Sequence, residues 1–234
     1  MSNEEKKEKK DRTIYDDLSL LLDKDILIED KILYIPKAVE DDEGDKVYII
    51  SDETIRDAMQ KLYILDKYKT EIPINIIFNT SGGDVTHGMI LYDAIKNCNS
   101  FIEMTVKGTA YSMGSVILQA AGHRVMSNNA KLMMHAGYDA IDGHPKDVDA
   151  WHKMAHKDDS SIYKVFQDKF KNINRDRTLP QSIVHLMERF KMPLTGKGFT
   201  IKEIELLFDH DLILTAKEAK KMNLIDEIEG EKNE

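Results

Sequence analysis

The heptapeptide Gly108-Thr109-Ala110-Tyr111-Ser112-Met113-Gly114 sets one serine among small residues between two apolar segments. Phe101 to Val106 reads as a strand and Ser115 to Ala121 as a helix, so the chain must pass from one to the other within a short, crowded turn. Gly108, Ala110 and Gly114 remove the bulk that would obstruct it. Ser112 then falls at a helix N-terminus, beside backbone N–H groups that have no intrahelical acceptor and can stabilise an oxyanion. Glycines flanking a serine also serve plain turns, and turn chemistry alone does not choose between the two readings.

The rest of the chain alternates strands and helices in the manner of a layered α/β fold. Ile32 to Ile35 and Val47 to Ile50 read as strands, with the acidic turn Asp41 to Asp45 between them. Ser51 can cap a helix that carries Ile55, Ala58, Met59 and Leu62 on one face. A strand at 72 to 78 and a helix at about 85 to 97 precede the serine segment. No internal repeat or interdomain linker interrupts the succession. The chain divides into a charged tail (1–12), expected to be disordered, a single domain (13–230) and a short acidic end (231–234).

Two further segments give the serine a context. Asn79-Thr80-Ser81-Gly82-Gly83-Asp84-Val85 follows the strand-like Ile72 to Phe78, and Lys131-Leu132-Met133-Met134-His135 follows the serine segment. A late segment, Asp209-His210-Asp211-Leu212-Ile213-Leu214-Thr215-Ala216, leads into small-residue helix and then Asn223-Leu224-Ile225-Asp226. From about Lys31 to Ile228 the chain resembles the ClpP family of serine peptidases, the proteolytic component of ATP-dependent Clp proteases. The resemblance implies the spiral of ββα/βαβ units shared by ClpP and crotonase-like proteins, with a projecting handle helix. It implies a triad of Ser112, His135 and Asp211, and oxyanion donors at the backbone N–H groups of Gly83 and Met113. Gly82, Asp84, Val85, Ala136 and Gly137 are the substrate-binding positions it suggests.

The residue types suit that chemistry. A serine hydroxyl needs a neighbouring base, and imidazole, which titrates near neutrality, can take its proton and later protonate the leaving amine. An aspartate on the other ring nitrogen fixes the tautomer and stabilises the imidazolium. Each residue has a competitor. Ser115 would sit about a turn inside the helix, away from the turn apex. Asp209 lies two positions before Asp211, and either could simply precede the helix at Thr215. Thr215 and Glu218 have capping-box spacing, which pins the loop holding Asp211. His135 could be a core histidine closing a strand.

Composition bounds the functional class. A chain of 234 residues with 41% hydrophobic and 32% charged residues has the makeup of one folded domain. Its net charge of −9 argues against nonspecific nucleic-acid binding. One cysteine, Cys98, excludes an intramolecular disulfide, and no apolar run reaches membrane-spanning length. The N-terminus lacks the apolar stretch of a secretory signal, so the expectation is a cytoplasmic protein without membrane association. No Gly-x-x-x-x-Gly-Lys-Ser/Thr loop is present, so no cofactor is expected and ATP would belong to a partner. His152 and His156 have zinc-helix spacing, but Lys153 stands where a general-base glutamate is needed, and no metal is expected.

Past His135, Lys146 to about Phe170 reads as a long helix with the apolar stripe Val148, Trp151, Ala155, Ile162, Phe166 and Phe170. By resemblance this handle, about 146–171, pairs subunits between stacked rings, two heptamers of identical chains, and the stripe is expected to face a neighbour. An AAA+ unfoldase would feed peptide or unfolded-protein substrates. The chain also departs from the family pattern. Ala136-Gly137 stands where relatives commonly carry Gln-Pro, Leu212 where many carry arginine, and Asn75 and Ile77 where tyrosines often serve unfoldase docking. Residues 172–198, with the helix-like Ser182 to Phe190, form an apparent surface insertion. Two other classes stay open: a noncatalytic ring or scaffold paralogue, and a crotonase-like acyl-CoA enzyme.

Overall fold

Short apolar-rich segments, with Ile and Val most frequent at the centre, build one central sheet. The computed structural model describes residues 23–137, 144–176 and 179–231, without the side chains of 145, 149–152 and 154–158. The expected N-terminal tail, the segment Tyr138 to Gly143, the C-terminal residues 232–234 and the side chains of Trp151, His152, Ala155 and His156 lie outside the described residues. Strands β1 (Ile26–Leu27), β2 (Ile32–Ile35), β5 (Ile74–Thr80), β6 (Ile102–Tyr111), β7 (His123–Met126) and β10 (Glu227–Ile228) lie side by side in the order β1-β2-β5-β6-β7-β10. From β2 to β10 the pairings are parallel, and β1 closes one edge antiparallel. Strands β8 (Lys131–Met134) and β9 (Leu212–Thr215) branch from this sheet, β8 parallel to β6 and β9 antiparallel to β8.

Parallel neighbours need long crossovers, and helices α1 (Asp52–Lys67) and α2 (Val85–Lys96) supply the first two. Ser51 caps α1 in a capping box with Thr54, and Ile55, Ala58 and Leu62 are buried as their spacing predicts. Strand β5 alternates without a break, burying Ile74, Ile76, Phe78 and Thr80. Each large apolar side chain so buried contributes about 1.5–3 kcal/mol relative to exposure.

Three expectations are revised. The acidic turn does not join Ile32–Ile35 to the next strand; it closes the small hairpin β3 (Val39–Glu40) and β4 (Lys46–Val47), where Asp41 N–H donates to Asp45 O. Beyond β4, only Ile50 of the expected strand makes a bridge, to Gly83. The handle α4 (Pro145–Phe170) forms, yet Phe166 and Phe170 of its stripe are fully buried against their own subunit. Phe166 stacks edge-on to Phe208 at 5.0 Å, and Phe170 to Phe199 at 5.7 Å. Among the described residues, burial within the chain accounts for the C-terminal half of the stripe.

The segment 172–198 is also more than a surface loop. Its ends are pinned together by the Asn174↔Lys197 bridge and the Gly198 N–H to Ile173 O bond. Its helix α5 (Gln181–Arg189) buries Ile183 and Met187, and it packs on α6 (Ile201–Phe208). Beside this hairpin-like base, Arg175 donates to both carboxylate oxygens of Glu203, to the carbonyls of Gly198 and Pro193, and stacks on the Phe199 ring at 4.3 Å.

The Arg175 hydrogen bonds outweigh burial and, with the Thr200 cap, hold the Glu203 carboxyl down at about 2. A depressed carboxylate stabilises the fold above its unfolded pKa of 4.5, and that contribution is lost as pH falls toward about 2. Arg175→Lys keeps the charge but loses the two-pronged grip. It is expected to lower unfolding free energy by about 1.5–3 kcal/mol, read as a lower urea midpoint, with the difference from wild type shrinking below pH 4.

Candidate active site

Strand β6 runs five residues further than its apolar core suggests, ending at Tyr111, and helix α3 (Met113–Leu118) begins at Met113. The whole reversal is therefore compressed into Ser112, which sits at φ 51°, ψ −121°. A β-substituted residue in that region carries strain on the order of 1–3 kcal/mol, and it persists only where the surroundings enforce it. Here Ser112 N–H donates to Met133 O at 2.8 Å, and Ser112 O accepts from both Ser115 N–H and Ser115 Oγ. Ser112 occupies the helix N-cap position but makes no capping bond with its side chain, so the hydroxyl is left to another partner.

That partner is His135. Its Nε2 lies 2.7 Å from Ser112 Oγ, and its Nδ1 lies 3.3 Å from Asp211 Oδ1. With Nδ1 protonated toward the carboxylate, Nε2 accepts the serine O–H, the tautomer needed for a general base. The sheet brings the three together. Met133 holds the serine two residues before the histidine, and the β8–β9 register sets Met134 opposite Leu212, which brings His135 beside Asp211. On the far side, Ala136 N–H donates to Phe208 O at 2.6 Å. Thr215 and Glu218 form the expected capping box of α7 (Ala216–Lys221), fixing the end of β9.

The competitors lie elsewhere. Ser115 is 1% exposed and spends its hydroxyl on the Ser112 carbonyl. Asp209 Oδ2 lies 4.0 Å from the His210 ring. Burial pushes the Cys98 thiol up to about 11, with Asp66 adding to the effect, so this thiol stays protonated at neutral pH.

Gly82 and Gly83 pack the preceding loop onto Ser112. They adopt φ +100° and +142°; a Cβ on Gly82 would fall 2.7 Å from Ser112 Cβ, and one on Gly83 2.2 Å from Ile50 O. The neighbours of Gly83 are tied to Ile50, whose N–H donates to Gly82 O and whose carbonyl accepts Asp84 N–H. Among the described residues, the N–H groups of Gly83 and Met113 make no hydrogen bond to a protein acceptor. Met113 opens α3, where the first N–H groups have no intrahelical acceptor.

The remaining positions divide. Val85 and Gly137 line a cavity of about 20 Å³ at Ser112, walled by Met113, Val116, Met134, Ile162, Phe166 and Phe208. Asp84 instead caps α2 and binds the His87 ring at 2.8 Å; burial acts to raise its carboxyl, but the His87 N–H and imidazole outweigh it and hold it low. The Ala136 N–H is already used by Phe208 O. Sequence reading missed Met134 and Phe208, although the helical spacing of Ile162 and Phe166 marked an apolar face. No group of three His, Cys, Asp or Glu among the described residues is placed to hold a metal.

A family model described as Clp protease matches residues 46–177, more than half of the chain. The chain belongs to the Clp protease family. The match takes in the Gly82-Gly83 loop, Ser112 and His135 and ends before Asp211. The mixed α/β architecture agrees with this Clp protease membership. No helix among the described residues is long and apolar enough to cross a membrane.

Proposed function

We propose that this Clp protease family member is a serine endopeptidase that cleaves peptides and unfolded polypeptides through an acyl-enzyme. The observation that carries the reading is the 2.7 Å approach of His135 Nε2 to Ser112 Oγ at a strained strand-to-helix turn. Ser112 Oγ attacks the scissile carbonyl carbon while His135 takes its proton, and the carbonyl oxygen becomes an oxyanion held by the N–H groups of Gly83 and Met113. The tetrahedral species collapses, the C–N bond breaks, and the amine leaves with the proton from His135. Water, deprotonated by His135, then attacks the acyl-serine; the ester bond to Ser112 Oγ breaks, Oγ recovers the proton from His135, and the acid product leaves. The apolar cavity at Ser112 favours an apolar side chain next to the scissile bond and has to widen from its water-sized volume to admit one.

The assembly is proposed as stacked rings of identical subunits, two heptamers, in the cytoplasm, with ATP used only by an AAA+ unfoldase partner. A chamber of that kind admits short peptides by diffusion and excludes folded proteins. The test is hydrolysis of a fluorogenic peptide and of a folded protein by the purified chain. The reading expects peptide cleavage without ATP and no loss of the folded protein. Absence of peptidase activity together with saturable coenzyme A binding would place the chain with acyl-CoA enzymes instead.

Asp211→Asn is expected to lower kcat by about 10–100-fold. This is less than the roughly 10⁴-fold seen where the orienting carboxylate is buried, because the Asp211 side chain is 57% exposed and 3.3 Å from Nδ1. Steady-state kinetics on the fluorogenic peptide check it, and Asp209→Asn should stay near wild type.

A further inference from the structure

We propose that Thr80 is a positioning residue for the reaction, setting the spacing between the Gly82-Gly83 loop and the nucleophile turn. Thr80 ends β5 with 1% of its surface exposed, and it touches both halves of the site. Its Oγ1 accepts the Gly82 N–H at 3.1 Å and donates to Tyr48 O at 2.9 Å, so the hydroxyl hydrogen is used and its direction fixed. Its carbonyl accepts Thr109 Oγ1–H at 3.1 Å, which ties it to the strand that carries Ser112. Its methyl lies against Gly114, where a Cβ would come within 2.4 Å of Thr80 Cγ2. One side chain therefore holds the loop ahead of Gly83 through its hydroxyl and lies against the helix behind Ser112 through its methyl.

The strand irregularity at this point strengthens the argument. Between Phe78↔Val106 and Thr80↔Ala110 the register shifts, so β6 carries extra residues opposite Asn79, and Thr109 N–H is satisfied by Asn79 Oδ1 at 2.9 Å. Beyond this bulge β6 leaves β7 and pairs with β8, which leads to His135. Thr80 is the first residue of β5 to resume pairing after the bulge, and its hydroxyl, held between Gly82 N–H and Tyr48 O, decides where the loop stands against the redirected strand, the methyl only filling the space beside Gly114. Because oxyanion donors act only when aimed at the transition-state oxygen, a shift of the loop by a fraction of an ångström lowers transition-state binding and leaves ground-state binding nearly unchanged.

The inference rests on the serine-peptidase reading, and the experiment separates the two. Wild type, Thr80→Val and Thr80→Ser are compared in peptide kinetics and in inhibition by a peptidyl trifluoromethyl ketone, whose adduct places an oxyanion in the site. Thr80→Val is expected to lower kcat about tenfold with KM within about twofold, and to weaken the ketone by the same factor as kcat/KM. Thr80→Ser, which keeps the hydroxyl, is expected within about threefold of wild type on both measures. If Thr80→Val does not assemble, Thr80→Ala carries the same expectations. Unchanged kcat and ketone binding in a folded hydroxyl-less variant overturns the positioning role alone. An equal fall in thermal stability for the Val and Ser variants with no kinetic split also overturns it. A wild type that neither cleaves the peptide nor binds the ketone overturns the peptidase reading and this inference with it.

Discussion

Ser112→Ala will lower peptide hydrolysis by at least about 10⁴-fold, with the fold and assembly unchanged. The argument is local. Ser112 Oγ is the atom 2.7 Å from His135 Nε2, and neighbouring Ser115 cannot substitute because it is buried and bonded to the Ser112 carbonyl. Removing the hydroxyl leaves the loop and helix N–H groups in place, so residual binding of peptide survives while the acylation step does not. Alanine also relieves none of the backbone strain, since φ +51° disfavours any β-substituted residue. The expected thermal midpoint is therefore close to that of wild type. A fluorogenic-peptide assay beside a thermal melt checks both halves of the statement.

Gly83→Ala is the second large effect, expected to lower kcat by about 10²–10³-fold. A Cβ at this position would meet Ile50 O at 2.2 Å and Ile50 N at 2.9 Å, both backbone atoms that cannot rotate aside. The φ of +142° is also one that L-residues rarely adopt. The loop has to back away from Ile50, breaking the hydrogen bonds of Gly82 O and Asp84 N–H to that residue and moving the N–H of residue 83. Gly44→Ala is the control. It too has a positive φ, +84°, but nothing lies within 4 Å of the added carbon, so the change costs some stability and leaves kcat alone. Parallel kcat values for the two variants, each corrected for folded fraction, make the comparison.

The legible parts of this chain were those with local signatures. Ser51 announced its helix as a capping hydroxyl and Thr215 through its capping-box spacing to Glu218, and the strand-like run Ile72 to Phe78 announced a strand. The serine turn was legible as a tight strand-to-helix turn, but the length of the strand before it was not, because Lys107 to Tyr111 has no apolar alternation and joins β6 only through the bulge that Asn79 fills. Phe208 walls the cavity and binds Ala136 through a backbone carbonyl, a role that carries no side-chain signal. Asp211 is preferred over Asp209 in the sequence only by resemblance; in space the antiparallel pairing of β8 with β9, a contact between distant segments, sets Asp211 beside His135. Lys31 shows the same limit from the other side. A lysine reads as surface, yet this one is fully buried, its ammonium donating to Lys69 O and Ser100 Oγ, and burial lowers its pKa despite the opposing pull of Asp66. The apolar stripe of α4 reads as a face for a neighbouring subunit, but periodicity does not say which chain supplies the cover, and for Phe166 and Phe170 it is their own.

The central claim is that Ser112 is an activated nucleophile. The most direct test is intact-mass detection of a fluorophosphonate adduct, mapped by peptide sequencing, on wild type and Ser112→Ala. The account predicts one adduct per chain on Ser112 and none on the variant. A folded, assembled wild type that takes no adduct, or takes it on Ser115, would contradict it.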